Sequence, residues 1–398
     1  MRQWYVLGLL LLGWSVLSVG RAQTVETITD AFNASGGVVR GPDGNIYVAD
    51  FGLRLDNQNG TTVYRVTPEG QRSVFATGFV GASGNAFDAQ GNLYQSNIAD
   101  RRISKVTPDG IVSTFATTGI LAPVGIAVDS QDNVFVANCG DHTIRKITPD
   151  GTSTAFASSA LFACPNGLTI DENDNLYTSN FNNGNVLRIE PDGTVSLLAT
   201  IPGGNNGHLT YSHGQLYVVA RCANQIYRLS LTGQWTLVAG SGARGNADGP
   251  ATQATFSIPN GIAASVTGDT LYVNDAVPTT GGCVSGSLNP IVLRRIILDT
   301  DTGVADRDEV PETITLLQNY PNPFNPATRV HFRLPRTAFV RLRVFDLLGR
   351  EVTTLVEGMR SAGQHEAVFE AEGLPGGVYV YRLEAAGIVR ARAMLLLK

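Results

Sequence analysis

The chain has 398 residues, of which 43% are hydrophobic and 16% charged, and its formal net charge is −5 at pH 7. That length carries two folded domains, the composition excludes a disordered or low-complexity chain, and the acidic balance argues against a nucleic acid as partner. The 44 glycines fall in corners between short alternating runs, which points to many short strands joined by tight turns.

Residues 1–22 hold Arg2, an apolar run from Val6 to Val19, and small residues at Gly20 and Ala22. They read as a signal peptide cut after Ala22. The apolar run is shorter than the roughly 20 residues that cross a bilayer, and no later segment is apolar enough, so no transmembrane segment is expected after cleavage. Export permits disulfides.

Beyond residue 23 one unit is written again and again. A corner recurs as "RVTPEG" ending at Gly70, "KVTPDG" at Gly110, "KITPDG" at Gly151, "RIEPDG" at Gly193 and a degenerate "RLSLTG" at Gly233. A second signature keeps the same beat, with aromatics at Tyr47, Tyr94, Phe135, Tyr177, Tyr217 and Tyr272. In the third unit four strands are predicted, at residues 124–129, 133–138, 143–148 and 152–157, with Gly, Asp and Asn in the corners between them. A four-stranded unit of about 40 residues is the propeller period. After residue 22 the chain opens with "VETITDAF", which matches the fourth strand of a unit, and the sixth unit stops after its third strand, "IVLRRIIL". The expected fold over residues 23–303 is therefore an all-β, six-bladed β-propeller closed by the N-terminal strand.

The pattern "GNIYVAD" followed by "IRKITPDG", and above all "VAGSGARGNADGPATQATFSIPNGIA" at Val238–Ala263, resembles NHL-repeat propellers and, more distantly, is similar to the regucalcin and gluconolactonase family. In that family a Pro-Asn-Gly entering a first strand supplies a metal ligand. The resemblance implies that role for Asn166 and Asn260, with a divalent cation such as calcium as cofactor. The glutamate on an early blade and the aspartate general base of the family have no counterpart at the matching positions.

Residues 304–313 read as a charged linker, after which the repeat is lost. Over residues 314–398 alternating runs predict a small immunoglobulin-like β-sandwich; in "VRLRVF", Val340, Leu342 and Val344 point one way and Arg341 and Arg343 the other. Asn319-Tyr320-Pro321-Asn322-Pro323-Phe324-Asn325-Pro326, "VFDLLGREV", "LPGGVYVYRL" and the basic end at Lys398 closely resemble the type A C-terminal sorting domain of the bacterial type IX secretion system. The resemblance implies the type IX machinery as partner, and a secreted or outer-membrane-surface protein of a Gram-negative bacterium.

Propeller ligands bind at the mouth of the central channel, on the loops before first strands and after second strands. The residues entering the first strands are Gly36, Ser83, Val124, Asn166, Asn206 and Asn260. Asn166, Asn206 and Asn260, with His208 beside them, are the candidate ligand-binding residues, and amides suit a neutral polyhydroxylated ligand. Asp171, Asn173 and Asn175 have the spacing of a calcium loop, but Leu176 stands where that loop needs glycine. Cys139, Cys164, Cys222 and Cys283 allow three pairings; loops on the same face favour Cys139 with Cys164 and Cys222 with Cys283. The expected function is binding of an extracellular glycan, peptide or other ligand on the channel face. The alternative is a metal-assisted lactonase or lyase.

Overall fold

The computed structural model describes residues 23–277, 282–298, 314–334, 337–360, 363–386 and 388–397. The expected signal peptide and linker lie outside the described residues. The chain divides into two compact units, residues 1–301 and 302–398.

The first unit is a set of antiparallel sheets, five with four strands and one with five. Each four-stranded sheet is a meander in sequence order. The third, for example, runs Pro123–Val128, Val134–Asn138, Thr143–Ile147, Ser153–Ser158, close to the strands predicted for it. The innermost strands Val38–Arg40, Ala82–Phe87, Pro123–Val128, Pro165–Ile170, Leu209–Ser212 and Ile262–Ala264 contact one another in that order, and the last contacts the first. Strand Thr24–Thr27 pairs with Ile291–Ile297, Thr24 opposite Ile297 and Thr27 opposite Arg294. Its free edge takes the two-residue strand Gly249–Pro250, an addition that the repeat does not announce. Among the described residues the only helical turn is 3-10, at Arg221–Ala223, and no helix is long and apolar enough to cross a membrane.

Both sequence signatures have a physical basis here. The aspartate opening the corner before the second strand gathers the chain around it: Asp171 accepts from the backbone N–H groups of Asn173 and Asn175, from the Asn175 amide and from the Tyr177 hydroxyl. Asp88 does the same for Gln90, Asn92 and Tyr94. This uses the oxygens of the apparent calcium loop at Asp171. The buried aromatics make edge-on contacts with fourth-strand rings, Tyr94 with Phe115 at 4.8 Å and Phe135 with Phe156 at 4.8 Å. Glycine is required where innermost strands converge: a Cβ on Gly84 would lie 2.2 Å from the Val124 carbonyl oxygen, and one on Gly261 would lie 2.7 Å from that of Gly36.

The second unit has two antiparallel sheets, of three and four strands, over one core. Val340, Leu342 and Val344 are fully buried. Arg341 and Arg343 face out and bond Glu357, Glu351 and Glu384, as the alternation predicts.

Candidate functional site

The loops after the second strands carry the site. Four residues beyond the first five signature aromatics stand Phe51, Ile98, Cys139, Phe181 and Arg221, and all five line one cup of about 190 Å³ at the end of the channel, with Leu55, Leu288, Asn166 and Asn260. Its walls are mainly apolar. Phe51 and Leu288 form a buried cluster with Ile258 and Ala276, against which Leu55 and Ile98 pack. The two longest loops on this face meet there: Leu288 N–H donates to the Leu53 carbonyl at 2.8 Å and Arg54 Nη2 to the Ser285 carbonyl at 3.0 Å. Residues 278–281 of the second loop lie outside the described residues.

Two disulfides fix this rim, Cys139–Cys164 and Cys222–Cys283, the pairing expected. The first lines the cup. It is braced by His142, whose Nδ1 accepts from Cys164 N–H at 2.9 Å; that histidine is a structural acceptor. The second ties the 3-10 turn Arg221–Ala223, ended by Asn224 with φ 54°, to the loop that carries Cys283.

Arg221 is the charged residue of the cup. It is 2% exposed. Its Nε donates to the Cys283 carbonyl at 3.2 Å and its Nη1 to Asn260 Oδ1 at 3.1 Å. Nη2 has no partner. The guanidinium lies 5.9 Å from the Phe181 ring centre. Burial lowers its pKa to about 10, so it stays charged at neutral pH.

Of the residues singled out from sequence, Asn166 and Asn260 line the cup, whereas His208 lines the channel beneath it, a space of about 310 Å³. Asn206 is fully buried and lines neither. All three amide nitrogens tie the rim together: Asn166 Nδ2 donates to the Asn206 carbonyl, Asn206 Nδ2 to the Gly184 carbonyl, and Asn260 Nδ2 to the Ser35 carbonyl, at 2.9, 2.8 and 2.9 Å. His208 Nε2 is buried without a partner. Burial first, and the nearby Arg221 second, lower its pKa to about 4, so the ring is neutral at physiological pH.

A divalent cation does not fit the oxygens of Asn166 and Asn260. Both are neutral, and Asn260 Oδ1 already accepts from a guanidinium that would repel the ion. Among the described residues no group of three or more His, Cys, Asp and Glu could hold a metal ion. Two carboxylates of the last and first sheets are engaged elsewhere: Asp50 accepts from Gly52 N–H and Asn289 Nδ2, and Asp275 pairs with Arg294.

Sheets in a closed order around a channel define a β-propeller. The chain belongs to the virginiamycin B lyase family, whose model matches residues 22–240. Residues 318–395 match the secretion system C-terminal sorting domain, which implies secretion or display at the cell surface. No curated protein matches the chain. Among solved structures, a gluconolactonase from Xanthomonas campestris is similar at 17% identity and TM-score 0.52, over 69% of this chain and 89% of that one. An auxiliary nutrient binding protein from Bacteroides ovatus is similar at 15% identity and TM-score 0.55, over 69% and 76%. Virginiamycin B lyase from Staphylococcus aureus aligns at 14% identity and TM-score 0.46, over 69% and 99%. At such identities the likeness is one of fold.

Proposed function

We propose that the chain is an exported six-bladed propeller that binds a small extracellular ligand in the cup on its channel face. The observation that carries this is the cup itself: an apolar hollow, braced by a disulfide, with a few fixed polar atoms. Six blades are supported by the cyclic contact of the innermost strands and by the N-terminal strand in the last sheet. The amide donors of Asn166, Asn206 and Asn260 are committed to backbone carbonyls, which favours a ligand with an apolar body over a neutral glycan held by amides alone. The extracellular partner is then an apolar-bodied small molecule, or a side chain of a peptide.

The remaining assignments complete the reading. Residues 1–22 are the signal peptide, 23–303 the propeller, 304–313 the linker, and 314–398 an immunoglobulin-like sorting sandwich recognised by type IX machinery at a Gram-negative outer membrane. A chain ending at Val310 should melt cooperatively yet stay in the periplasm of its host; normal export of that chain would contradict the sorting role.

A second reading is a lyase, favoured by the family and by the neutral, unpartnered Nε2 of His208, a group able to accept a proton. One experiment separates the two. A fragment screen of the exported chain by ligand-observed NMR should return ligands whose signals vanish in Ile98→Trp, which fills the cup. Turnover of a streptogramin B, lost in His208→Gln, would give the answer to the lyase; hydrolysis of a sugar lactone would instead point to a lactonase.

A further inference from the structure

Arg221 has three features that do not belong together in a purely structural side chain. It is almost wholly buried, it is charged at neutral pH, and one of its terminal nitrogens bonds to nothing. A buried charge is tolerated where an opposite charge or a full set of hydrogen bonds replaces water. Arg294 shows how this chain does so: its guanidinium meets Asp248 at 2.8 Å and Asp275 at 3.3 Å and also donates to the carbonyls of Ala247 and Thr255. Arg221 has a carbonyl and an amide oxygen, and among the described residues no carboxylate.

We propose that the missing carboxylate belongs to the ligand: the cup takes a small carboxylic acid, its carboxylate on Arg221 Nη2 and its apolar body against Phe51, Ile98, Phe181 and Leu288. This rests on the cup being a binding site. The chemistry selects one negative charge. One N–H each of Nε and Nη1 is taken by Cys283 and Asn260, which leaves both N–H groups of Nη2 and one on Nη1 for a carboxylate, whereas a phosphate dianion would find no second cation among the lining residues. The surrounding walls are apolar, so the rest of the ligand is apolar too. Net charge does not oppose the assignment at this range, because charges beyond about 8 Å are screened at physiological ionic strength. The disulfide Cys222–Cys283 contributes by holding the turn that bears Arg221 against the carbonyl that orients it.

The test compares 3-phenylpropionate with 3-phenylpropionamide, which has the same shape without the charge, by calorimetry on the full exported chain at neutral pH. The acid is expected to bind at least tenfold more tightly than the amide. In Arg221→Gln that ratio should fall to about one, and Ile98→Trp, which leaves Arg221 in place, should abolish binding of both. Equal affinities in the wild-type chain, or a preference for the amide, would overturn the carboxylate assignment even if Arg221→Gln failed to fold. Should neither compound bind while neutral fragments still occupy the cup and are blocked by Ile98→Trp, the carboxylate assignment fails and the cup survives. If no compound of any kind is sensitive to Ile98→Trp, the binding reading fails as well.

Discussion

Arg294 and Arg221 are both fully buried in the same unit, 0% and 2% exposed, and they are solvated in opposite ways. Arg294 sits in the sixth sheet among Asp248, Asp275 and backbone carbonyls, with its guanidinium 4.5 Å from the centre of the Phe256 ring. Arg221 sits at the channel mouth with two neutral acceptors and a free Nη2. The first is an ion pair that closes the blade; the second is a buried charge without a carboxylate, on a residue that lines the cup. Arg294 keeps only its Nε without a partner and meets two carboxylates, whereas Arg221 meets none and lines the cup; that difference in counter-charge is what the proposal for Arg221 rests on.

The largest expected effect breaks the paired region. Arg294→Met leaves Asp275 buried without its cation and should destabilise the propeller by about 3–5 kcal/mol, read as a lower urea midpoint; a shift under about 1 kcal/mol would mean that the pair is dispensable. Next, Cys139→Ser with Cys164→Ser removes the bridge that lines the cup. In the chain-entropy model this costs about 3 kcal/mol, and it should weaken every cup ligand. Arg221→Met is the counterpart of the first variant. It removes an unpaired charge along with two hydrogen bonds, so stability should change by no more than about 1 kcal/mol while carboxylate binding is lost.

A further effect concerns pH. His208 has a folded-state pKa of about 4, below its ordinary 6.5, through burial and the nearby Arg221. A depressed value means that the unfolded chain binds the proton first, so stability is full above about 6.5 and falls as pH drops towards about 4. His208→Gln should flatten that part of the stability profile; an unchanged slope would show that other groups carry it.

These contrasts also show what the sequence makes legible. The period of the corners and aromatics gave the strands, the closing N-terminal strand and both disulfides, because a repeat reports geometry six times over. The site was harder to read. Asn166 and Asn260 were found at the rim, but their tethering to neighbouring carbonyls depends on strands brought together only by the ring. Arg221 lies after a second strand and not at the entry to a first strand, so the pattern that singles out the asparagines passes over it. A signal was present: at the signature's end "YVVAR" places Ala220 where Asn97, Asn138 and Asn180 stand in other units, and then a charge where the others carry Phe51, Ile98, Cys139 and Phe181. The burial and isolation of that charge are tertiary facts. Likewise, Asp171 with Asn173 and Asn175 has calcium-loop spacing in sequence but proves to be a corner tied to Tyr177.

Whether Arg221 receives a ligand anion can be seen in a crystal structure of the exported chain grown with 3-phenylpropionate. The compound is expected in the cup, its carboxylate within hydrogen-bonding distance of Arg221 Nη2 and its ring beside Phe181 and Leu288. A carboxylate of the chain itself on Nη2, with the cup empty of the compound, would contradict it.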